Sequence, residues 1–216
     1  MKLYKLIAIV GLSFPSLFAS ATMINWVDWQ SSTANTATGE LLVGSETVAV
    51  NVSSTSSFAF VQTGTGTDFW TGSAYTNGTV DNAPPASELI ALNPGGTVTI
   101  SFDQPITNVF FAINSWNNNT VTFDTPIVVD SSGAGYWGSG SADLNADSTG
   151  FQGVGELHGI ILAEGDFSSI SFSHTSENWH GFTLGVEALS TPPSVPAPAT
   201  AVLLTALFVL MRRRNR

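Results

Sequence analysis

The sequence predicts an all-β domain, an antiparallel β-sandwich of jelly-roll-like kind, set between two short apolar terminal helices. Three observations carry this. Polar and apolar residues alternate with a period of two in several short segments, clusters of Asn, Gly, Ser, Asp and Pro separate those segments, and helical periodicity is nearly absent from residues 22–189. In a strand, successive side chains point to opposite faces, so alternation marks a sheet with one face buried.

The N-terminus comes first. Lys2 and Lys5 precede an apolar stretch from Leu6 to Leu17, and Ala19-Ser20-Ala21 offers the small-x-small pattern of a secretory cleavage site. Residues 1–21 therefore read as a signal helix, with Ala19 and Ala21 at the cleavage site and Thr22 as the mature start.

The body follows, over residues 22–189. Thr97-Val98-Thr99-Ile100-Ser101-Phe102 and Ser169-Ile170-Ser171-Phe172-Ser173-His174 alternate strictly, and Phe182, Leu184 and Val186 share one face of Gly181–Glu187. Further strand candidates are Thr47–Val52, Phe58–Gln62, Val109–Asn114, Thr120–Phe123, Ile127–Asp130 and Leu157–Leu162. Asp81-Asn82-Ala83-Pro84-Pro85, Asn93-Pro94-Gly95-Gly96 and Asn117-Asn118-Asn119 read as the turns between them. About nine short strands with such punctuation favour a sandwich, and no internal repeat points to a propeller or solenoid.

Charge is distributed unevenly. The formal net charge of the 216-residue chain is −10, yet every Lys and Arg lies at an end: Lys2, Lys5, Arg212, Arg213, Arg214 and Arg216. All 16 acidic residues lie between, so the body carries a formal −16 with its three His neutral. Such a surface repels phosphate backbones and excludes nucleic acid as a partner. It also lacks a cationic clamp for phosphoryl or carboxylate groups and suits hard cations instead. Cysteine is absent, so neither a disulfide framework nor thiolate chemistry supports this domain.

The tail has two parts. Residues 190–198, Ser190-Thr191-Pro192-Pro193-Ser194-Val195-Pro196-Ala197-Pro198, form a stiff Pro-rich linker. Residues 199–216 hold a short apolar helix, Ala199–Met211, and the basic end Arg212-Arg213-Arg214-Asn215-Arg216. The apolar run is about 20 Å long as a helix, against a hydrocarbon core of ~30 Å, so it suits shallow insertion with snorkelling arginines. The positive-inside rule then puts the arginines in the cytoplasm and the body outside.

Linker, apolar helix and arginine cluster, in that order, resemble the PEP-CTERM sorting signal of exported bacterial proteins. The family's usual Val-Pro-Glu-Pro is matched by Val195, Pro196, Ala197 and Pro198, with Ala197 in place of Glu. The resemblance implies export from a Gram-negative-type cell and anchoring of the precursor in the inner membrane. It further implies processing by an exosortase and delivery of the body to the envelope or extracellular matrix. Ser132–Gly138, Gly153–Glu156, Phe167–Ile170 and Glu177–Thr183 are also similar to a body recurrent among PEP-CTERM proteins, whose function is unassigned.

Three groups of residues invite chemistry. Trp70, Trp116, Tyr136 and Trp137 lie near turns rich in Asn and Asp, as an aromatic sugar platform would require; the simpler role for large aromatics is to fill the sandwich. Asp143, Asn145 and Asp147 place oxygen ligands at alternate positions, as calcium loops do, although Ser148 and Val154 break the EF-hand pattern and a solvated loop explains the residues as well. His174 and His180 flank a turn bearing Glu177, the composition of a two-His, one-carboxylate metal site; packed sheet-edge histidines are the plainer reading. No Gly-x-Ser-x-Gly elbow is present, and no set of residues stands out as catalytic.

The expectation is a non-enzymatic envelope or matrix protein whose sandwich binds exopolysaccharide, with calcium as its candidate cofactor. The competing expectation is an exported carbohydrate-active or metal-dependent hydrolase, since two carboxylates alone suffice to hydrolyse a glycoside. A purely structural matrix protein without a ligand is the third.

Overall fold

The computed structural model describes residues 22–189. The signal segment with Ala19 and Ala21, the linker with Val195, Pro196, Ala197 and Pro198, and the tail helix of 199–216 lie outside the described residues. Among the described residues, no helix is long and apolar enough to cross a membrane.

The described chain is all-β, 64% strand, with a single 3-10 turn at Ser73–Tyr75. In chain order the strands are β1 (Asn25–Trp26), β2 (Asp28–Ser32), β3 (Thr36–Val43), β4 (Glu46–Ser54), β5 (Phe58–Thr63), β6 (Glu88–Leu92), β7 (Gly96–Asn114), β8 (Thr120–Phe123), β9 (Val128–Gly135), β10 (Gly138–Leu144), β11 (Gly150–Gly155), β12 (His158–His174) and β13 (His180–Leu189). All pairings between them are antiparallel.

The long strands β7 and β12 organise the rest. They pair from Gly96↔His174 to Ile113↔Gly159, with irregularities between Ala163 and Asp166 and between Phe167 and Ser169. Gly165 sits in the first with φ +131°, a conformation that a Cβ would strain, and its N–H donates to Asn108 Oδ1 at 3.0 Å. On one side of these bulges, β7 continues into β4, β3 and β2, and β12 into β8, β11 and β10. On the other side, β7 pairs with β13, which leads to β6 and β5, while β12 pairs with β9. The halves face one another over a common core: Phe172 meets Phe111 at 6.1 Å and Phe182 at 5.4 Å between ring centroids.

Alternation explains the first half. Val98, Ile100 and Phe102 of β7 and Val48, Val50 and Val52 of β4 are buried, with Thr97, Thr99 and Asn51 turned to solvent. The second half obeys a different rule, because the segment between β5 and β6 lies over its outer face. Phe69, Trp70, Ala74, Tyr75 and Val80 there pack on Leu89, Ala91, Phe110, Ala112 and Ile160 as a second core. Strands covered on both faces become continuous apolar runs.

Two sequence expectations are corrected here. Thr97–Phe102 and Val109–Asn114 are the ends of one strand, as are Leu157–Leu162 and Ser169–His174. The residues between them, assigned to no strand in the sequence, lie in bends of continuous strands; Asp103 Oδ1, for example, accepts the N–H of Ala49 at 2.9 Å. Strands β1, β2, β3, β6, β10 and β11 were not among the expected ones. β6 is an unbroken buried run, and β10 is rich in Gly and Ser, so neither shows the alternating signal.

Candidate functional site

Connections gather at one end of the domain. They are the β7–β8 loop with Ser115 and Asn117, the β9–β10 turn of Tyr136 and Trp137, the β11–β12 link with Glu156, and the β12–β13 turn with Glu177, Asn178 and Trp179. Ser115, Asn117, Trp137, Glu156, Glu177, Asn178 and Trp179 line a cleft of about 530 Å³.

Local structure sets each side chain. Gly135 pairs with Gly138, so Tyr136 and Trp137 are forced to the tip of a two-residue hairpin, and Gly138 takes φ +147° to close it. The β12–β13 turn is pinned from two sides. Asn119 Nδ2 donates to Thr175 O (2.9 Å), the Gly95 N–H to Ser176 Oγ (2.7 Å), the Glu177 N–H to Asn93 O (3.3 Å), and Asn93 Nδ2 to Asn178 O. Ser115 and Asn118 adopt left-handed backbone (φ 55° and 58°), unusual for residues with a Cβ, so two such residues bend the loop that faces both glutamates.

The two carboxylates are held differently. Glu156 receives Ser115 Oγ on one oxygen (2.7 Å) and Asn117 Nδ2 on the other (2.9 Å). Glu177 has a buried Oε2 that accepts no hydrogen bond and lies 3.4 Å from His180 Nδ1. Burial, and then the negative charge of Glu156, push the Glu177 carboxyl up to about 7, although the Asn117 backbone N–H opposes the shift. Behind it, His180 Nε2 and His174 Nδ1 share a hydrogen bond of 3.0 Å. Burial and the neighbouring His174 hold His180 down at about 3, and burial lowers His174 and His158 as well.

Aromatic rings form the wall. Trp137 lies 5.3 Å from Phe69 and nearly parallel to it, 4.9 Å from Trp179, and 4.8 Å from Tyr136; Phe60 extends the row 5.1 Å from Trp179. Tyr136 and Trp137 stay 45% and 44% exposed, so the row presents aromatic surface beside polar cleft residues.

The residues nominated from sequence divide. Tyr136 and Trp137 stand at the site. Trp70 and Trp116 do not offer a platform, being 3% and 1% exposed. Each indole N–H is spent inside the fold, Trp70 on Glu88 O (3.2 Å) and Trp116 on Gly181 O (2.7 Å), and Trp116 packs on Phe151, Phe172 and His180. Asp143 pairs with Gln152 in β10, while Asn145 and Asp147 shape the hairpin that follows. Asn145 Oδ1 accepts the Gly150 N–H (3.0 Å), and Asp147 Oδ1 accepts both the N–H (3.1 Å) and the hydroxyl (2.8 Å) of Thr149. Those bonds give two of the three proposed calcium ligands a local role. His174, His180 and Glu177 do come together, but the facing ring nitrogens bond to each other. Among the described residues no group of three or more His, Asp or Glu is arranged to hold a metal ion.

Glu156, Asn117, Asn178 and Trp179 were missed as one site. The one signal that joined Glu156, Asn178 and Trp179 was that Gly153–Glu156 and Glu177–Thr183 both belong to the segments resembling the recurrent PEP-CTERM body, while Asn117 read only as part of a turn. A second depression, about 270 Å³, lies on β3, β4 and β7 and is lined by Thr36, Thr38, Asn51, Ser53, Thr99 and Ser101 among others, with no titratable group. Comparisons with protein-family models, with curated proteins and with solved structures find no match.

The buried histidines and the raised carboxyls predict a pH optimum of stability. The unfolded chain protonates its histidines below about 6.5, whereas folded His180 resists down to about 3, so the stability they contribute is lost as pH falls through that interval. Glu177 acts oppositely. Its folded form holds a proton that the unfolded chain releases above about 4.5, so its contribution is lost as pH rises through about 7; Glu88, raised by burial, adds in the same sense. The melting temperature is expected to peak near pH 6 and fall on both sides in a thermal-denaturation series. Glu177→Gln should flatten the alkaline limb and leave the acid limb intact. An unchanged alkaline limb would show that Glu177 titrates normally.

Proposed function

We propose that this chain is an exported envelope or matrix protein whose body, a jelly-roll-like β-sandwich, binds polysaccharide at the cleft between Trp137 and Trp179. The observation that carries this reading is the row of aromatic rings, with Trp137 exposed at a hairpin tip, alongside Glu156, Glu177, Asn117 and Asn178. Sugar C–H faces pack on aromatic rings, while hydroxyls require hydrogen-bonding side chains within reach, and this cleft supplies both. The chemistry of the reading is recognition rather than turnover.

The route to the envelope rests on the termini. An N-terminal signal ending at Ala21, a PEP-CTERM-like motif at Val195–Pro198 and the basic tail support export, passage through the inner membrane and exosortase processing. Deleting residues 195–216 should shift the protein from the envelope fraction to a freely soluble pool. Unchanged fractionation would remove the sorting role.

A second reading, glycoside hydrolysis, is favoured by one observation. Glu156 and Glu177 share the cleft, and Glu177 is raised to about 7, as a proton-donating carboxyl must be. The test of both is a polysaccharide pull-down and glycan-array screen of the full chain, scored for retention and for release of reducing ends. Retention without release supports the binding reading, and release abolished by Glu177→Gln supports the hydrolase. Neither would return the chain to a ligand-free structural role.

A further inference from the structure

The cleft contains an electrostatic imbalance that the aromatic row by itself does not explain. Two carboxyl groups face one cleft, and among the described residues there is no Lys or Arg to offset them. Without such a counter-charge Glu177 keeps its proton up to about 7, because burial and the charge of Glu156 oppose a second anion there, and a bound cation would relieve that opposition. The nearby bases are His174 and His180, and His158 behind Ser115; burial holds all three toward the neutral form. Glu156 is satisfied by two neutral donors, which leave its charge in place. Glu177 keeps a buried oxygen with no hydrogen-bond donor. A neutral sugar brings hydroxyl donors but no positive charge.

An organic cation supplies what is missing. Its N–H groups donate to carboxylates in charge-assisted hydrogen bonds, and the ring faces of Trp137 and Trp179 attract positive charge through their quadrupoles. The aromatic surface runs on from Trp179 to Phe60, 37% exposed, with buried Phe69 backing the row, which suits a flat ring in a chain more than a small compact ion. We propose that the cleft recognises a cationic amino-sugar unit of a polysaccharide, with the protonated amine against Glu156 and Glu177 and the sugar ring on the Trp137–Trp179 wall. This inference rests on the polysaccharide-binding reading and narrows it to partly or fully de-N-acetylated hexosamine polymers. The formal −16 of the body favours the same class by drawing polycations toward the surface.

The experiment is isothermal titration of the full chain at pH 6 with three tetramers of equal length: β-1,4-linked glucosamine, its N-acetylated counterpart and cellotetraose. Oligolysine of matched charge serves as a fourth probe. The expected result is that the glucosamine tetramer binds at least tenfold tighter than either neutral tetramer and tighter than oligolysine, with affinity falling as salt is raised. Glu156→Gln and Glu177→Gln should each erase that preference, and Trp137→Ala should weaken all the sugars. Equal binding of charged and neutral tetramers overturns cation recognition and leaves polysaccharide binding standing. Oligolysine binding as tightly as the glucosamine tetramer overturns the assignment to a sugar. Absence of binding by every tetramer overturns the inference together with the reading beneath it.

Discussion

Trp137→Ala is expected to weaken polysaccharide binding by roughly 30-fold, about 2 kcal/mol, while leaving the fold unchanged. Its ring is 44% exposed at the tip of the β9–β10 hairpin, where truncation opens no cavity in either core. What the substitution removes is the face beside the cleft and the contacts to Phe69 and Trp179 that fix that face in place. A retention assay or titration reads the affinity, and circular dichroism with a melting curve reads the fold. A variant that keeps full affinity would show that the sugar, if bound, sits elsewhere. One that melts several degrees lower would show that Trp137 is chiefly structural.

Trp116→Ala should have the opposite profile. Trp116 was an equal candidate for the sugar platform in the sequence, but it is buried against Phe151, Phe172 and His180 and donates its indole N–H to Gly181 O. Deleting a buried Trp typically costs about 3–5 kcal/mol, a large share of the 5–15 kcal/mol that stabilises an ordinary domain. Loss of the indole also strands the Gly181 carbonyl, which adds to the cost. The melting temperature should drop by on the order of 10 °C, while ligand affinity measured well below the transition stays within a few-fold of the parent. A stable Trp116→Ala protein with lost binding would contradict the burial described above. The pair of substitutions thus separates two tryptophans that the sequence alone ranks together.

That ranking shows how far residue type reaches. Trp70, Trp116 and Trp137 all neighbour turn-forming residues, and nothing in composition distinguishes a ring folded inward from one left at a hairpin tip. The difference arises from pairing. Gly135 and Gly138 face each other in β9 and β10, so the two residues between them have no inward direction to take. Trp116 lies just past the end of β7, where its N–H bonds to Leu157 O and its ring falls into the common core. The glutamates repeat the lesson. Glu156 and Glu177 are separated along the chain by the whole of β12 and meet because that strand bends at its bulges, between Ala163 and Ser169, and brings its two ends back to the same end of the domain.

The all-β class, the alternating edges of β4, β7, β12 and β13, and the acidic, cysteine-free body were legible in the sequence, because period-two burial and charge are local properties written residue by residue. So were the basic ends and the motif-bearing tail on which the export proposal depends. Tertiary structure alone decided that four predicted strands fuse into β7 and β12, since bulged pairing lets one strand run on through a bend where the alternating pattern breaks. It also decided which aromatics are exposed, and it brought Glu156, Glu177, Trp137 and Trp179 to one cleft. Those outcomes depend on long-range register, where each side chain's neighbours come from strands distant in the chain, and no local pattern encodes them.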